Sequence, residues 1–354
     1  MNKKVFQFKL KLFTCFNIKK MELPEIVGHM MLWLPIKNVL TTRIVNNVYK
    51  KASMYYSSNA PIRVKESLRW FKYTFPCIEH VVIKGRLDIK DCDLQELSHI
   101  KSLNMSYCPQ PSITNQCFQS MPNLRSLDLR GCYQAYSKGH FTNAIFQHLT
   151  ELTTFYIDQN QLITNFGLQQ LTNLTKLYVS NCNITNDGLS TLTKLVHLEM
   201  YNLKVTDDVL DSLPNLVELN LTFIPISTEG LLKLKKLKYL TATNCDRINH
   251  CRGLDILPLS SLSLVYSKIK NEDLKYLCHL KSLTLYRSSI TGTHFDQLHN
   301  LERLYMYHSP LQSHHIKSLT SLKKLMIVGL YDCSLTQETK KELHQLLGHK
   351  LDTN

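Results

Sequence analysis

Along residues 174–195 the apolar and polar positions trace a unit that closes on its own beginning. Leu177 and Val179 alternate with Tyr178 and Ser180, and a period of two predicts a short strand. Leu174, Leu177 and Val179 point inward on this reading, and Tyr178 and Ser180 point outward. Cys182 then turns the chain, where a small side chain can meet the backbone of the next coil. Thr185 stands at a helix N-cap, Asp187 suits the positive end of the helix dipole, and Leu189 and Leu192 bury a short helical face. Leu195 ends this unit and opens its copy. Further copies open at Leu216, Leu237, Leu259, Leu280, Leu301 and Leu322, in steps of 21 or 22 residues. Looser copies open at Ile78, Ile100, Leu124 and Leu152, and the steps into Leu124 and Leu152 are longer. The extra residues around Tyr133–His140 are expected in a loop on the convex side. So short a unit cannot bury its own apolar edge, so the copies must stack into a solenoid.

The strand pattern of Leu174, Leu177 and Val179 recurs as Leu195, Leu198 and Met200, as Leu216, Leu219 and Leu221, as Leu280, Leu283 and Leu285, and as Leu301, Leu304 and Met306. This run resembles the leucine-rich repeat, L-x-x-L-x-L-x-x-N/C-x-L. The resemblance implies an α/β horseshoe over residues 78–334, with a parallel β-sheet on the concave side and short helices on the convex side. Residues 335–354 are expected to close it. Thr336 caps a helix there, Leu343, Leu346 and Leu347 face the last coil, and Gly348 ends it.

Residues 21–52 follow a different pattern. Ile26, Met30 and Leu34 stripe one helix between Pro24 and Pro35, and Leu40, Val45 and Tyr49 stripe a second. A segment this short cannot support a core alone, so part of its apolar surface must meet something else. A helical cap over the end of the solenoid would carry the same stripe. The positions Leu23-Pro24, Glu25-Ile26, Leu34-Pro35, Leu40, Val45, Tyr49 and Lys50-Lys51 resemble an F-box. Two departures stand out: one residue is missing between Pro24 and Glu25, and Tyr49 occupies the usual place of Trp. The resemblance implies docking on a Skp1-type adaptor, and through it on a cullin, with Leu23, Pro24, Ile26, Met30, Leu34, Pro35, Leu40, Val45 and Tyr49 carrying that contact or its scaffold. Residues 53–77 are expected to be a linker, with a helix over Arg63–Tyr73 bearing Leu68, Trp70 and Phe71. Residues 1–20 read as a disordered extension, because Lys9 and Lys11 interrupt what would be the apolar centre of a signal peptide.

Composition changes this picture little. Lys and Arg number 42 against 28 Asp and Glu, for a net charge of +14. The basic residues are scattered, as in Lys233, Lys235 and Lys236 on one expected helix, with no dense run among aromatics. A solvated convex surface is therefore expected rather than a nucleic-acid groove. Of the 11 cysteines, Cys108, Cys132, Cys182 and Cys245 share one repeat position, and no C-x-x-C pair exists. Free thiols in a reducing compartment follow, cytoplasmic or nuclear, with no metal site and no cofactor. No stretch is long enough to span a membrane.

Candidate chemistry lies on the outward strand positions. Tyr156, Tyr178, Tyr201, Tyr266, Tyr286, Arg287, Tyr305, Tyr307 and His308 are expected on the concave face, beside Ser106, Asp128 and Arg130. Tyrosine offers large contact area at low entropic cost, which favours partner binding. Strand positions also favour Tyr and Thr by β-propensity alone. His314-His315 reads as solvent-facing, and Asp207-Asp208 as a helix start, so no catalytic constellation emerges. The F-box resemblance implies a non-catalytic substrate receptor of an SCF ubiquitin ligase, whose repeats bind the protein to be ubiquitinated. A plain interaction scaffold is the alternative, and a basic nucleic-acid-binding solenoid the third.

Overall fold

The structure is a computed structural model that describes residues 62–65, 67, 68, 72, 77–132 and 141–352. The F-box-like positions from Leu23 to Tyr49, the extension 1–20, Trp70, Phe71 and the Tyr133–His140 insertion lie outside the described residues.

Among the described residues, fourteen strands form one parallel sheet in strict chain order. They are β1 (Ile62–Arg63), β2 (His80–Val82), β3 (Ser102–Asn104), β4 (Ser126–Asp128), β5 (Thr154–Asp158), β6 (Lys176–Ser180), β7 (His197–Tyr201), β8 (Glu218–Thr222), β9 (Tyr239–Thr243), β10 (Ser261–Val265), β11 (Ser282–Tyr286), β12 (Arg303–Tyr307), β13 (Ile327–Tyr331) and β14 (Leu351–Asp352). Register is kept throughout: Leu177 pairs with Leu198, Leu198 with Leu219, and Leu219 with Leu240. Each row of leucines therefore becomes a continuous buried column, with Leu174, Leu195, Leu216 and Leu237 fully enclosed. One coil alone would leave that column in water, so stacking supplies the core.

Three sequence expectations need correcting. Arg303 pairs with Ile327, so the last full coil opens at Leu325 rather than Leu322. Both leucines are buried, and only the pairing distinguishes them. Arg63 lies in β1 beside Val82, not in the expected helix, although Leu68 and Lys72 are helical. Past the closing helix Gln337–Leu347, the chain returns as β14 against β13. Thr336 caps that helix by accepting from the Thr339 N–H at 3.2 Å, and Leu343 and Leu347 are buried, but Leu346 faces solvent.

Convex segments are one or two turns of α- or 3₁₀-helix, such as Asn165–Leu168, Asn186–Leu189 and Asp207–Ser212. A coil of this length leaves room for no more. Lys233, Lys235 and Lys236 follow the turn Thr228–Leu231 instead of riding on it. Convex lysines tie adjacent coils to each other: Lys194 donates to Asn173 at 2.8 Å, Lys236 to Asn215 at 2.7 Å and Lys324 to Asn300 at 2.6 Å.

The N-cap threonines act across coils. The Thr185 hydroxyl makes no cap of its own helix; it accepts from Asn165 Nδ2 of the preceding coil at 2.8 Å, while the Thr185 N–H donates to Asn165 Oδ1 at 3.0 Å. The same reciprocal pair joins Asn143 to Thr164, Asn186 to Thr206 and Asn271 to Thr291. Gly188 follows from this ladder. A Cβ there would stand 2.5 Å from Asn165 Oδ1 and 3.1 Å from the Asn165 Cα, so a side chain and the ladder cannot share that space.

After each strand the chain enters the left-handed region. Asn181, Asn202, Phe223, Asn244, Tyr266, Arg287, His308 and Asp332 have φ between 48° and 56°, and Gly131 takes this place after β4 with φ 70°. Their backbone N–H groups extend the sheet ladder, as in Asn181 to the Tyr201 carbonyl at 3.0 Å and Arg287 to the Tyr307 carbonyl at 2.8 Å. A left-handed L-residue is strained by roughly 1 kcal/mol or more, which the saved hydrogen bond offsets. Cysteines close the same corner. Cys108 Sγ meets the Ile83 carbonyl at 3.3 Å and Cys132 Sγ the Met105 carbonyl at 3.0 Å, both in the preceding coil, whereas Cys182 meets the Ser180 carbonyl of its own coil. Burial lifts these thiols, Cys132 to about 12 and Cys182 to about 11.

Candidate functional site

The concave face divides into two groups. The first spans β4 to β8 and is built on charge. Asp128, only 4% exposed, accepts from Asn104 Nδ2 at 3.0 Å, Arg130 Nε at 3.0 Å and Arg130 Nη2 at 2.8 Å. This two-pronged grip raises the Arg130 pKa further. The guanidinium lies 4.8 Å from the Tyr156 ring centre and 5.2 Å from that of Tyr178. Asp158, on the neighbouring strand, accepts from the Gly131 N–H at 2.6 Å. Burial raises the Asp158 carboxyl and the Tyr178 phenol above their ordinary values. Glu199 is open to water, yet it stands inside the curve of the sheet, and the atoms crowding it lift its carboxyl too.

The second group spans β9 to β13 and is built on hydroxyls and rings. The alternate positions Thr241, Thr243, Ser263, Thr284, Tyr286, Tyr305, Tyr307 and Tyr331 carry hydroxyls, beside Val265 and Gly329, and the strand-opening alternate positions include the exposed Arg303. Tyr286 and Tyr307 stack at 5.8 Å and 30°, and Tyr307 and Tyr331 at 4.7 Å and 13°. Tyr266 tilts against Tyr286 at 5.8 Å, and His308 meets the same ring edge-on at 5.1 Å. Gly329 makes the stack possible, because a Cβ there would stand 2.6 Å from the Tyr331 ring and 2.7 Å from that of Tyr305. The exposed Arg287 guanidinium lies 5.5 Å from the Tyr266 ring centre. His308 Nε2 stands 3.7 Å from Asp332.

The residues expected on this face fall into three columns. Tyr156, Tyr178 and Tyr305 occupy the middle of their strands, while Tyr201, Tyr286 and Tyr307 occupy the strand ends. Tyr266, Arg287 and His308 are not strand residues; the left-handed turn throws them to the rim. Tyr201 packs edge-on against Phe223 at 5.7 Å. Ser106, Asp128 and Ser180 were expected to face the partner but are buried. Small polar groups that hydrogen-bond their own turn sink beneath it: Ser106 Oγ donates to Asn104 Oδ1 at 2.8 Å, and Asn181 Nδ2 donates to Ser180 Oγ at 3.1 Å. Two residues escaped sequence reading. Tyr331 was hidden by the register of the last coil, and Phe223 by its place one residue past β8. Alignment on Leu325, Val328 and Leu330 puts Tyr331 in line with Tyr286 and Tyr307.

Residues 170–192 match the family model described as a leucine-rich repeat. The repeat is a leucine-rich repeat. A search of curated proteins found no match. Among solved structures the fold is similar to an internalin (inlF) from Listeria monocytogenes, at 16% identity and TM-score 0.56, over 90% of this chain and 93% of that one. It is also similar to the mouse RP105/MD-1 complex, at 16% identity and TM-score 0.56, over 84% of this chain and 63% of that one. These likenesses establish the leucine-rich-repeat solenoid as the fold. Among the described residues, no helix is long and apolar enough to cross a membrane.

Proposed function

We propose that this leucine-rich-repeat chain is a non-catalytic protein-interaction scaffold that serves as the substrate-recognition subunit of an SCF-type ubiquitin ligase. The observation that carries the scaffold is the concave face, where stacked and exposed tyrosines stand on a rigid parallel sheet with hydroxyls between them. Rigid aromatic area flanked by small polar groups is what protein recognition uses. The ligase role is supported by the two Leu-Pro pairs, Leu23-Pro24 and Leu34-Pro35, with Ile26, Met30, Leu40, Val45 and Tyr49 between and after them. In this role the chain binds a Skp1-type adaptor through residues 21–52, reaches a cullin through that adaptor, and holds a protein substrate on its repeats. It speeds ubiquitin transfer by raising the local concentration of substrate lysines.

Co-purification with a Skp1 adaptor tests this reading. The intact chain should hold the adaptor. A chain lacking Met1–Lys51, and one carrying Leu34→Asp with Pro35→Ala, should lose it while circular dichroism shows the repeats still folded. An intact chain that binds no adaptor would leave the scaffold role without the ligase, and residues 21–52 would become a cap.

A further inference from the structure

The second concave group has a chemistry of its own, and it selects a partner. Tyr286, Tyr307 and Tyr331 are stacked nearly parallel at 5.8 and 4.7 Å, so each inner ring face is covered by its neighbour. What remains for a partner is ring edges and phenol hydroxyls. The edge of an aromatic ring is the positive end of its quadrupole, and a hydroxyl can donate. Such a row attracts acceptors and repels cations. Arg287 stands beside it, exposed, and among the described residues no carboxylate pairs with its guanidinium. The contrast with Arg130 is direct: there Asp128 occupies the fork of the guanidinium from inside the protein.

The left-handed turn after the strands adds to the row. It throws the side chains of Tyr266, Arg287 and His308, on three successive coils, to the rim of the sheet. All three are set against Tyr286.

We propose that the β10–β13 half of the concave face binds an extended acidic segment of a protein partner. One partner carboxylate occupies the free fork of Arg287. Its backbone carbonyls accept from the hydroxyls of Tyr286 and Tyr307. Charge selects a carboxylate over a phosphate. One guanidinium balances one negative charge, and Asp332, which already holds His308, opposes a dianion at the far end of the row. This inference rests on the concave face being the partner-binding face, and it is independent of the adaptor.

Selection from a random library of short peptides on the immobilised full chain tests it. Selected peptides should be enriched in Asp and Glu. Their affinity, read by fluorescence anisotropy, should fall about tenfold or more in Arg287→Gln, as expected for losing a charge-assisted pair. Lys324→Gln, on the convex side, removes the same charge and should change affinity less than about twofold if the net charge of the chain is not the cause. Equal losses in both variants would overturn the inference, as would a pool without acidic enrichment. Phosphoserine replacing the key acidic residue and binding more tightly would overturn the carboxylate assignment. Arg287→Gln should keep the adaptor, so failure here and failure of the ligase reading are separately visible.

Discussion

The two halves of the concave face share one backbone and differ in what their polar groups are for. From β4 to β8 the charges are tied into the protein: Asp128 holds Arg130 and Asn104, and Asp158 holds the Gly131 N–H. From β9 to β13 the alternate positions are uncharged except for Arg303, and hydroxyls face outward among stacked rings. The comparison teaches that a solenoid can use one surface in two ways, because each coil's side chains answer only to their neighbours. One half reinforces the sheet, and the other presents hydroxyls and ring edges along its stacked tyrosines.

The comparison concerns the face and not the core, and the largest expected effect checks that limit. Phe155→Ala, fully buried and edge-on to Phe146 at 5.6 Å, should destabilise by about 3–5 kcal/mol in urea unfolding. Leu285→Ala in the other half should cost about 2–5 kcal/mol, and a far smaller value would mean the halves also differ inside. Asp128→Ala comes next, at about 1–3 kcal/mol, because it strands four donors. Tyr307→Ala should cost about 1 kcal/mol of stability while removing most partner binding. The reverse ranking of these two variants would dissolve the distinction between reinforcing and binding halves.

The ladder on the convex side sharpens the contrast at finer scale. Asn165→Ala removes two bonds to Thr185, and Thr228→Val removes the single bond from a fully buried hydroxyl to the His250 carbonyl at 2.7 Å. Thermal melts should show losses of about 1–2 kcal/mol for the first and about 1 kcal/mol for the second.

Much of this was legible in the sequence, and the exceptions have physical reasons. The leucine columns set coil openings from Ile78 to Leu301, because a core residue in every turn admits only one alignment. Leu322 and Leu325 are both apolar and three apart, so pattern alone could not choose, and the error hid Tyr331. At Tyr266 and Arg287 the left-handed turn was invisible because these residues do not usually occupy it. The reciprocal Asn–Thr pairs were read as local caps because a sequence displays neighbours along the chain and not across coils. Two-residue strands such as β1 and β14 carry no periodicity to find.

The smallest predicted effect tests whether the first half carries unrelieved charge. The folded pKa of Glu199 lies above its unfolded value, so the folded state binds its proton more tightly. The wild type is therefore penalised at neutral pH, and the penalty disappears as pH falls through the raised value to below the ordinary carboxylate range. Glu199→Gln should melt slightly higher than wild type at neutral pH, by well under about 1 kcal/mol because the group is solvent-screened, and equal to it in acid. A variant less stable at neutral pH would mean that Glu199 is tied in as firmly as Asp128.

Unbroken parallel register gives the molecule a fixed scale of length. Adjacent strands of a sheet are roughly 4.8 Å apart, and eleven such steps separate β2 from β13, so the sheet runs roughly 53 Å between them. Each strand in that interval is hydrogen-bonded to the next, and the Asn–Thr pairs resist sliding of one coil on the next. Distance along the face therefore comes in whole coils. Gain or loss of a repeat during evolution would move everything beyond it by one graduation, and would leave the chemistry of each remaining coil as it was.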